Sequence, residues 1–162
     1  MNVKNQLEFL GRHHIDCVII GGVAATLHGS ALPTSDLDVC YARTTSNFEK
    51  LAIALQSVHA RLRDSPSDLS FRLEAETLRS GLNFTFSSDI GDLDLLGEVQ
   101  GIGFFDSVSE GAATMSLLGY EFRVISLDKL IMAKRATGRG KDLLAVMELE
   151  AIRELKSSQI RD

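Results

Sequence analysis

Three aspartates in two short motifs are the residues of this chain whose types and spacing best suit chemistry. One leucine separates Asp36 from Asp38, and Asp94 stands between two leucines in a later segment. Side chains two residues apart on a β-strand point to the same face, so Asp36 and Asp38 would present their carboxylates together. A third carboxylate from a neighbouring strand would complete an oxygen-only cage, which hard divalent ions prefer. The pattern therefore predicts a Mg²⁺ site that holds a nucleoside triphosphate.

Each of these acids also has a simpler interpretation. Asp36 can cap a turn, and Asp38 can lie on a solvent-facing strand surface. Three clustered acids without a cation would repel one another, which favours the metal interpretation. Asp92 is a rival for the third position because it precedes Asp94 by two residues on the same strand face. Glu98 is also in phase, but it lies farther along the strand.

The elements that would position the acids follow from apolar periodicity. Residues 17–20 form a β-branched run that Gly21 and Gly22 stop, which indicates a strand, a tight turn and a helix over 23–28. Alternating patterns predict further strands at 36–41, 71–73, 82–86, 92–99 and 120–125. Helical spacing predicts helices at 3–13, after the capping residues 44–47, from Ser126 to a glycine break at 138–140, and at 141–155. Residues 104–118 are poorly patterned and are expected to form a loop with a helical turn.

Composition places the chain among ordinary globular proteins. Its 162 residues are 44% hydrophobic and 24% charged, which predicts one domain over residues 1–162 with a core large enough to fold unaided. The net charge of −5 argues against a broad basic surface for nucleic acid, although a local basic pocket is compatible with it. Two cysteines are too few for a disulfide framework and indicate a reducing compartment. Without a signal pattern or an apolar run of about 18 residues, we expect a cytoplasmic protein with no membrane contact.

Taken in order, the motifs resemble the nucleotidyltransferase superfamily that includes DNA polymerase β. That pattern is a strand ending in Gly-Gly or Gly-Ser, a helix, an acid-x-acid pair on the next strand, and a later acid with apolar neighbours. Gly21-Gly22, Asp36-Leu37-Asp38 and Leu93-Asp94-Leu95 match it. Residues 18–29 and 127–142 are similar to the opening and closing elements of abortive-infection and toxin–antitoxin nucleotidyltransferases.

The resemblance implies an α/β fold and a transfer reaction. The expected architecture is a mixed, twisted sheet of about five strands, with helices mainly on one side and a C-terminal helical pair. The implied activity moves a nucleoside monophosphate from a triphosphate, with ATP preferred, to an acceptor hydroxyl and releases pyrophosphate. The acceptor stays open between a small molecule, RNA and a protein. Asp36 and Asp38 would bind one or two Mg²⁺ (or Mn²⁺) ions, and Asp94 would bind the second and draw the hydroxyl toward deprotonation.

The resemblance also implies contacts to the nucleotide. The backbone at Gly21 and Gly22 would approach the phosphates, with His28 and Ser30 beside them. His28 can instead be a helix-terminal hydrogen-bonding residue, and Ser30, like Thr34, can simply shape its loop. Four cations lie around the glycine break and can either neutralise phosphate or end a solvated helix; they are Lys134, Arg135, Arg139 and Lys141. Lys134 and Lys141 are the stronger candidates, and Asp142 is expected to pair with these cations.

One departure from the family motivates a second hypothesis. Leu32 stands where many relatives have an arginine, which would weaken nucleotide binding or remove catalysis. The alternative function is therefore a non-catalytic binding module, such as one half of a toxin–antitoxin pair, and a hydrolase of nucleotides is a weaker third. Exposed apolar residues would also suit a homodimer.

Overall fold

The computed structural model describes residues 3–34, 36–65 and 71–161 as an α/β structure. Its helices are α1 (Val3–Arg12), α2 (Gly21–Leu27), α3 (Thr45–Ser57), α4 (Ala75–Ser80), α5 (Phe105–Ser109), α6 (Leu127–Thr137) and α7 (Gly140–Arg161). Its strands are β1 (Cys17–Ile20), β2 (Leu37–Tyr41), β3 (Arg61–Leu62), β4 (Asn83–Ser87), β5 (Leu93–Leu96), β6 (Glu98–Val99), β7 (Gly103–Phe104), β8 (Ala113–Leu117) and β9 (Tyr120–Val124). In these ranges no helix combines the length and apolar character needed to cross a bilayer.

A seven-stranded mixed sheet organises the structure. Its strand order is β3-β4-β5-β2-β1-β9-β8. The β2–β5 and β1–β9 pairs are parallel, whereas the other neighbours in this sheet are antiparallel. All four residues of β1 are buried, as expected for a central strand with both faces covered. The mixed α/β sheet is confirmed, with two strands more than the predicted five.

Three segments correct the predicted elements. Residues 71–73 form no strand, and helix α4 follows them with Glu74 at its N-cap. The segment 104–118 contains α5 and the strand β8, which alternates half-buried and exposed residues at the sheet edge. The predicted strand 92–99 is broken at Gly97, whose amide bonds to the carbonyl oxygen of Leu82 and the side chain of Asn83. Glu98 therefore belongs to the separate β6–β7 ladder.

The C-terminal helical pair is confirmed, and its caps follow from sequence. The Ser126 side chain accepts from the amide of Lys129 at the start of α6. Gly138 ends α6 with a φ of 65°, a left-handed conformation that favours glycine. Helix α7 begins two residues later and packs against α6. This arrangement brings the basic residues around Gly138 to the same end of the sheet as the acids.

Candidate active site

Asp38 and Asp94 meet because their strands are parallel neighbours in register. Asp38 on β2 pairs directly with Asp94 on β5. The flanking Leu37, Leu93 and Leu95 are buried on the other face, so alternation directs both carboxyl groups away from the core. The two carboxyl groups are in hydrogen-bonding contact, and Asp36 is near enough to act on Asp38 electrostatically. The structure thus brings the three predicted acids together.

Crowding of negative charge changes the acidity of Asp38. Burial, the hydrogen bond with Asp94 and the charges of Asp94 and Asp36 raise its pKa to about 7, while Lys134 partly opposes the rise. The raised pKa means that the negative charge of an ionised Asp38 is poorly compensated by the groups around it. A divalent cation at this point would supply the missing compensation.

Gly21 is required by the position of Asp38. Its φ is +64°, and an added Cβ would lie 2.2 Å from Oδ2 of Asp38 and 3.0 Å from Cβ and Cγ of that residue. At Gly22 an added Cβ would lie 2.3 Å from Oγ1 of Thr34. The pair forms the first residues of α2, two residues before the predicted start, and Gly21 makes the tight turn from β1 into the helix. Because the two glycines have no Cβ, the start of the helix can lie against the strand that carries Asp38.

Arg63 is a member of the site that the sequence did not single out. Its Nη2 donates to Oδ1 of Asp94 at 2.7 Å and to the carbonyl oxygen of Phe86 at 3.0 Å. Its Nε lies 3.4 Å from Oδ2 of Asp92 in an ion pair but forms no hydrogen bond within the described residues. Burial alone would lower the pKa of Arg63, yet the hydrogen bond and charge of Asp94 and the charges of Asp92 and Asp36 raise it. Asp92 thus lies on the outer side of Arg63.

A cavity of about 340 Å³ opens beside the acids. Asp36 and Asp38 line it together with two hydroxyl-bearing loop residues, Ser30 and Thr34. Lys134, Arg139 and Lys141 line it as well, and so does Leu32. Cations, hydroxyls and acids therefore share one concave surface, as a metal-bound polyphosphate would require.

The loop at Ser30 is fastened to helix α7 by Glu148. The Ser30 hydroxyl and the Ala31 amide both donate to the Glu148 carboxylate, the latter at 3.0 Å. The amide of Leu32 bonds back to the Ser30 oxygen at 3.1 Å. Ser30 therefore shapes the loop and also faces the cavity.

Asp142 organises the basic residues of the cavity, as the sequence predicts. It is buried and accepts 2.7 Å hydrogen bonds from Thr137 and Arg139, with Lys134 Nζ 3.9 Å away. Burial would raise its pKa, but these hydrogen bonds and the charges of Arg139 and Lys134 hold it below the ordinary value. Lys141 is exposed and has no ion pair within the ranges described. Arg135 pairs with Glu150 instead of lining the cavity.

His28 lies apart from this cavity. It is 8% exposed, and its Nε2–H donates to the carbonyl oxygen of Ile125 at 2.7 Å. It does not line the cavity that contains the acids. The structure therefore places His28 in the simpler role weighed from sequence, as a hydrogen-bonding residue after a helix end.

Replacing His28 by Ala is expected to affect stability and not nucleotide binding. Removal of the donor leaves the carbonyl of Ile125 without that partner, which should lower the free energy of unfolding by about 1–3 kcal/mol. His59→Ala is the control, since the His59 side chain is 80% exposed. Urea unfolding and ATP titration of both variants check this; a selective loss of ATP affinity in His28→Ala would contradict it.

The residues fit a single hard cation better than a cage of three acids. In residues 3–34, 36–65 and 71–161, no group of three acid, histidine or cysteine side chains is arranged to hold one metal ion. One oxygen of Asp94 is engaged by Arg63. Asp36 and Asp38 share the cavity wall and offer oxygen ligands of the type that Mg²⁺ and Mn²⁺ use.

The structure defines an α/β protein with the nucleotidyltransferase fold, and solved structures share it. No family model and no curated protein sequence matches the chain. The antibiotic-resistance factor ANT(2'')-Ia aligns over 98% of this chain and 91% of its own, with TM-score 0.56 and 12% identity. Its crystal structure in complex with adenylyl-2''-tobramycin aligns over 98% of this chain and 96% of its own, with TM-score 0.54 and 12% identity. A Thermotoga maritima protein, provisionally assigned as a nucleotidyltransferase, aligns over 96% of this chain and 91% of its own, with TM-score 0.54 and 14% identity.

Proposed function

We propose that the protein is a metal-dependent nucleotidyltransferase that moves a nucleoside monophosphate from a triphosphate to an acceptor hydroxyl and releases pyrophosphate. The observation that carries the proposal is the register of Asp38 and Asp94 on adjacent strands, beside Asp36 and under the Gly21 backbone. The nucleotidyltransferase fold agrees with it. ATP is the preferred donor in this proposal, and Mg²⁺ or Mn²⁺ is the cofactor.

Each acid has a separate role in the reaction. Asp36 and Asp38 would hold the divalent ion, which when bound would neutralise charge on the triphosphate and stabilise charge on the leaving oxygen. Asp94 accepts the acceptor's hydroxyl proton. The rest of the site chiefly positions the reactants, as metal-dependent phosphoryl transfer requires.

The basic wall of the cavity receives the triphosphate. Thr34 offers a hydroxyl donor, Lys134 and Lys141 offer positive charge, and Gly22 lines the cavity without a side chain. The Ser30 hydroxyl donates to Glu148 and would have to leave that carboxylate to reach a phosphate. Lys134 is 17% exposed and held near Asp142, so its ammonium group is already in place. Lys141 has no competing ion pair among the described residues and turns toward the anion when it arrives.

Lys141→Gln is expected to weaken ATP binding roughly tenfold, since it removes one charge-assisted contact of about 1.5 kcal/mol. Lys156→Gln is the matched control, because Lys156 is an exposed lysine on the same helix that does not line the cavity. Calorimetric titration with ATP and Mg²⁺ measures both variants. Equal affinities for the two would remove Lys141 from the binding site.

A second cavity supports a reaction with two substrates. It has a volume of about 270 Å³ and shares four residues with the first, namely Asp38, Lys134, Arg139 and Asp142. Its other walls include the polar side chains of Asn83, Glu98 and Gln100. Two cavities that meet at Asp38 can hold a donor and an acceptor on either side of the transferred phosphorus. Since a structural neighbour is described with adenylyl-2''-tobramycin, a small hydroxylated molecule is the first acceptor class to test, before RNA and protein.

The test is incubation of the purified protein with each α-³²P-labelled nucleoside triphosphate and Mg²⁺ or Mn²⁺. Aminoglycosides, total RNA and a protein extract serve as separate acceptor pools. We expect metal-dependent transfer of label to one pool, with ATP preferred and pyrophosphate released. Absence of transfer to all pools, together with absence of calorimetric nucleotide binding, would reject the proposal.

A non-catalytic module is the second candidate, and two features of the site favour it. Leu32 replaces an arginine expected from the family, and the Glu148 carboxylate already uses the donors of Ser30 and Ala31. Helix α7 also exposes apolar side chains that suit a partner protein, as in a toxin–antitoxin pair, or a homodimer: Leu143, Leu144, Met147, Leu155 and Ile160. A stable complex with a co-purified partner and no nucleotide turnover would distinguish this function from the enzyme.

A further inference from the structure

Arg63 is connected to the acidic site through a row of residues that crosses three strands, β4, β5 and β2. The amide of Arg63 bonds to the carbonyl oxygen of Thr85 at 2.9 Å, directly after the short β3–β4 ladder. Thr85 pairs with Asp94 on β5, and Asp94 pairs with Asp38 on β2. The backbone therefore fixes the origin of the Arg63 side chain relative to both acids.

We infer that Arg63 takes the place of a second metal ion at Asp94, so that the site binds one divalent cation, at Asp36 and Asp38. Arg63 is then a positioning residue, which acts by holding the Asp94 carboxyl group. The inference rests on the proposed function, because it specifies the metal requirement of that same site.

The contact between Arg63 and Asp94 occupies one of the two oxygens with which Asp94 could bind a second ion, and it places a positive charge beside the other. Nη2 of Arg63 lies 2.7 Å from Oδ1 of Asp94, and the two side chains are only 23% and 22% exposed. A divalent ion binds carboxylate oxygens at roughly 2.0–2.6 Å, so it would lie against the guanidinium group and be repelled by it. Because both side chains are mostly shielded from solvent, water and salt screen that repulsion only weakly.

The other partners of Arg63 keep it from moving aside. The carbonyl oxygen of Phe86 accepts from the same Nη2 atom, and Asp92 attracts the group from its outer side. The charge of Asp36 also acts on Arg63. A guanidinium held by fixed acceptors is pre-organised, whereas an ion at the same place would have to replace these contacts with its own ligands.

This arrangement separates the acids by function. Asp36 and Asp38 line the cavity and are available to an ion. Asp94 is oriented by a cation that belongs to the protein and never dissociates, so its geometry is the same before and after the metal binds.

The experiment is a titration with Mn²⁺ alone, in which electron paramagnetic resonance measures the free ion. It compares the unmodified protein with Arg63→Gln and Arg63→Lys. Arg61→Gln is the matched control, because Arg61 is an exposed arginine in the short strand that ends just before Arg63. Circular dichroism establishes that each variant is folded.

We expect one Mn²⁺ per chain for the unmodified protein, Arg61→Gln and Arg63→Lys. Arg63→Gln should bind a second ion, because the positive charge that repels an ion at Asp94 is gone. Two ions in the unmodified protein, or no gain of any kind in Arg63→Gln, would overturn the inference. Asp94→Asn gives a second test that does not depend on the folding of Arg63→Gln: the stoichiometry should stay at one, and loss of an ion would count against the inference.

The outcomes also separate this inference from the proposed function. Two ions in the unmodified protein would reject the role of Arg63 and leave metal-dependent transfer in place. One ion in the unmodified protein and a second in Arg63→Gln, together with no transfer of label from any nucleotide, would support the role of Arg63 and reject the proposed function. No binding by either protein would reject both.

Discussion

Replacing Asp38 by Asn is expected to abolish nucleotidyl transfer while making the metal-free protein more stable above pH 7. The substitution removes a metal ligand with little change in shape, and loss of an essential catalytic group lowers rates by about 10³-fold or more. Stability should change in the opposite direction because burial and the neighbouring acids raise the pKa of Asp38 from 3.8 to about 7. The same substitution is thus expected to lower activity and to raise stability.

The sign of the pH dependence follows from proton binding. Between pH 4 and pH 7 the folded protein retains a proton on Asp38 that the unfolded chain releases, so the free energy of unfolding falls as the pH rises. One group of this kind contributes at most about 1.4 kcal/mol per pH unit. Asn at this position removes that slope.

Urea unfolding at pH 5 and pH 8, without metal, measures the effect of Asp38→Asn. The free energy of unfolding of the variant should rise relative to that of the unmodified protein as the pH rises. Asp106→Asn, at an exposed position on α5, controls for the loss of one charge. A stability difference that is the same at both pH values, or transfer within tenfold of the unmodified rate, would contradict the prediction.

Gly21→Ala is expected to lower transfer by about 100-fold, since a displacement of roughly 1 Å at a reacting group has effects of that size. The added Cβ would lie 2.2 Å from Oδ2 of Asp38, and the contacts to Cβ and Cγ of Asp38 are also close. Asp38 must therefore shift as a whole side chain. A left-handed residue other than glycine costs a further 1–2 kcal/mol, approximately, in stability.

Gly138→Ala is the matched control for Gly21→Ala. The two glycines have φ values of 65° and 64°, but nothing lies within 4 Å of a Cβ added at Gly138. Both variants should therefore lose similar backbone stability, whereas only Gly21→Ala should lose transfer and Mn²⁺ binding. The measurements are thermal unfolding, Mn²⁺ titration and the transfer assay. Equal activity of the two variants would show that the contact with Asp38 has no functional effect.

The elements that position the acids could be predicted because their signals are local. Cys17–Ile20 is an apolar run stopped by glycine, and Asp36, Asp38 and Asp94 alternate with apolar residues that require one buried face. Likewise, Ser126 and Gly138 mark the ends of α6 by cap chemistry. In each case the physical cause of the structure lies within a few residues of the feature it explains.

The features that sequence reasoning missed depend on distant partners. The Phe71 ring packs against the Phe86 ring, but among the described residues no strand pairs with residues 71–73. The alternating pattern there therefore reflects side-chain packing and not a strand. The strand β8 needs β9 to form its ladder and shows little burial of its own. An arginine at position 63 in a polar stretch gives no sign that it will face Asp94, because the link runs through the pairing of β3, β4 and β5.

The parallel pairing of β2 with β5 also determines when the acids can come together during synthesis. The polypeptide must first emerge through α3, α4 and β4, and β1 lacks its second neighbour until β9 has left the ribosome. Closing such long stretches of chain is entropically costly and slow. A nascent polypeptide that ends before β5 lacks Asp94 and cannot assemble the carboxylate cluster, so under the proposed function it would be inert toward cellular nucleotides until that strand has been made.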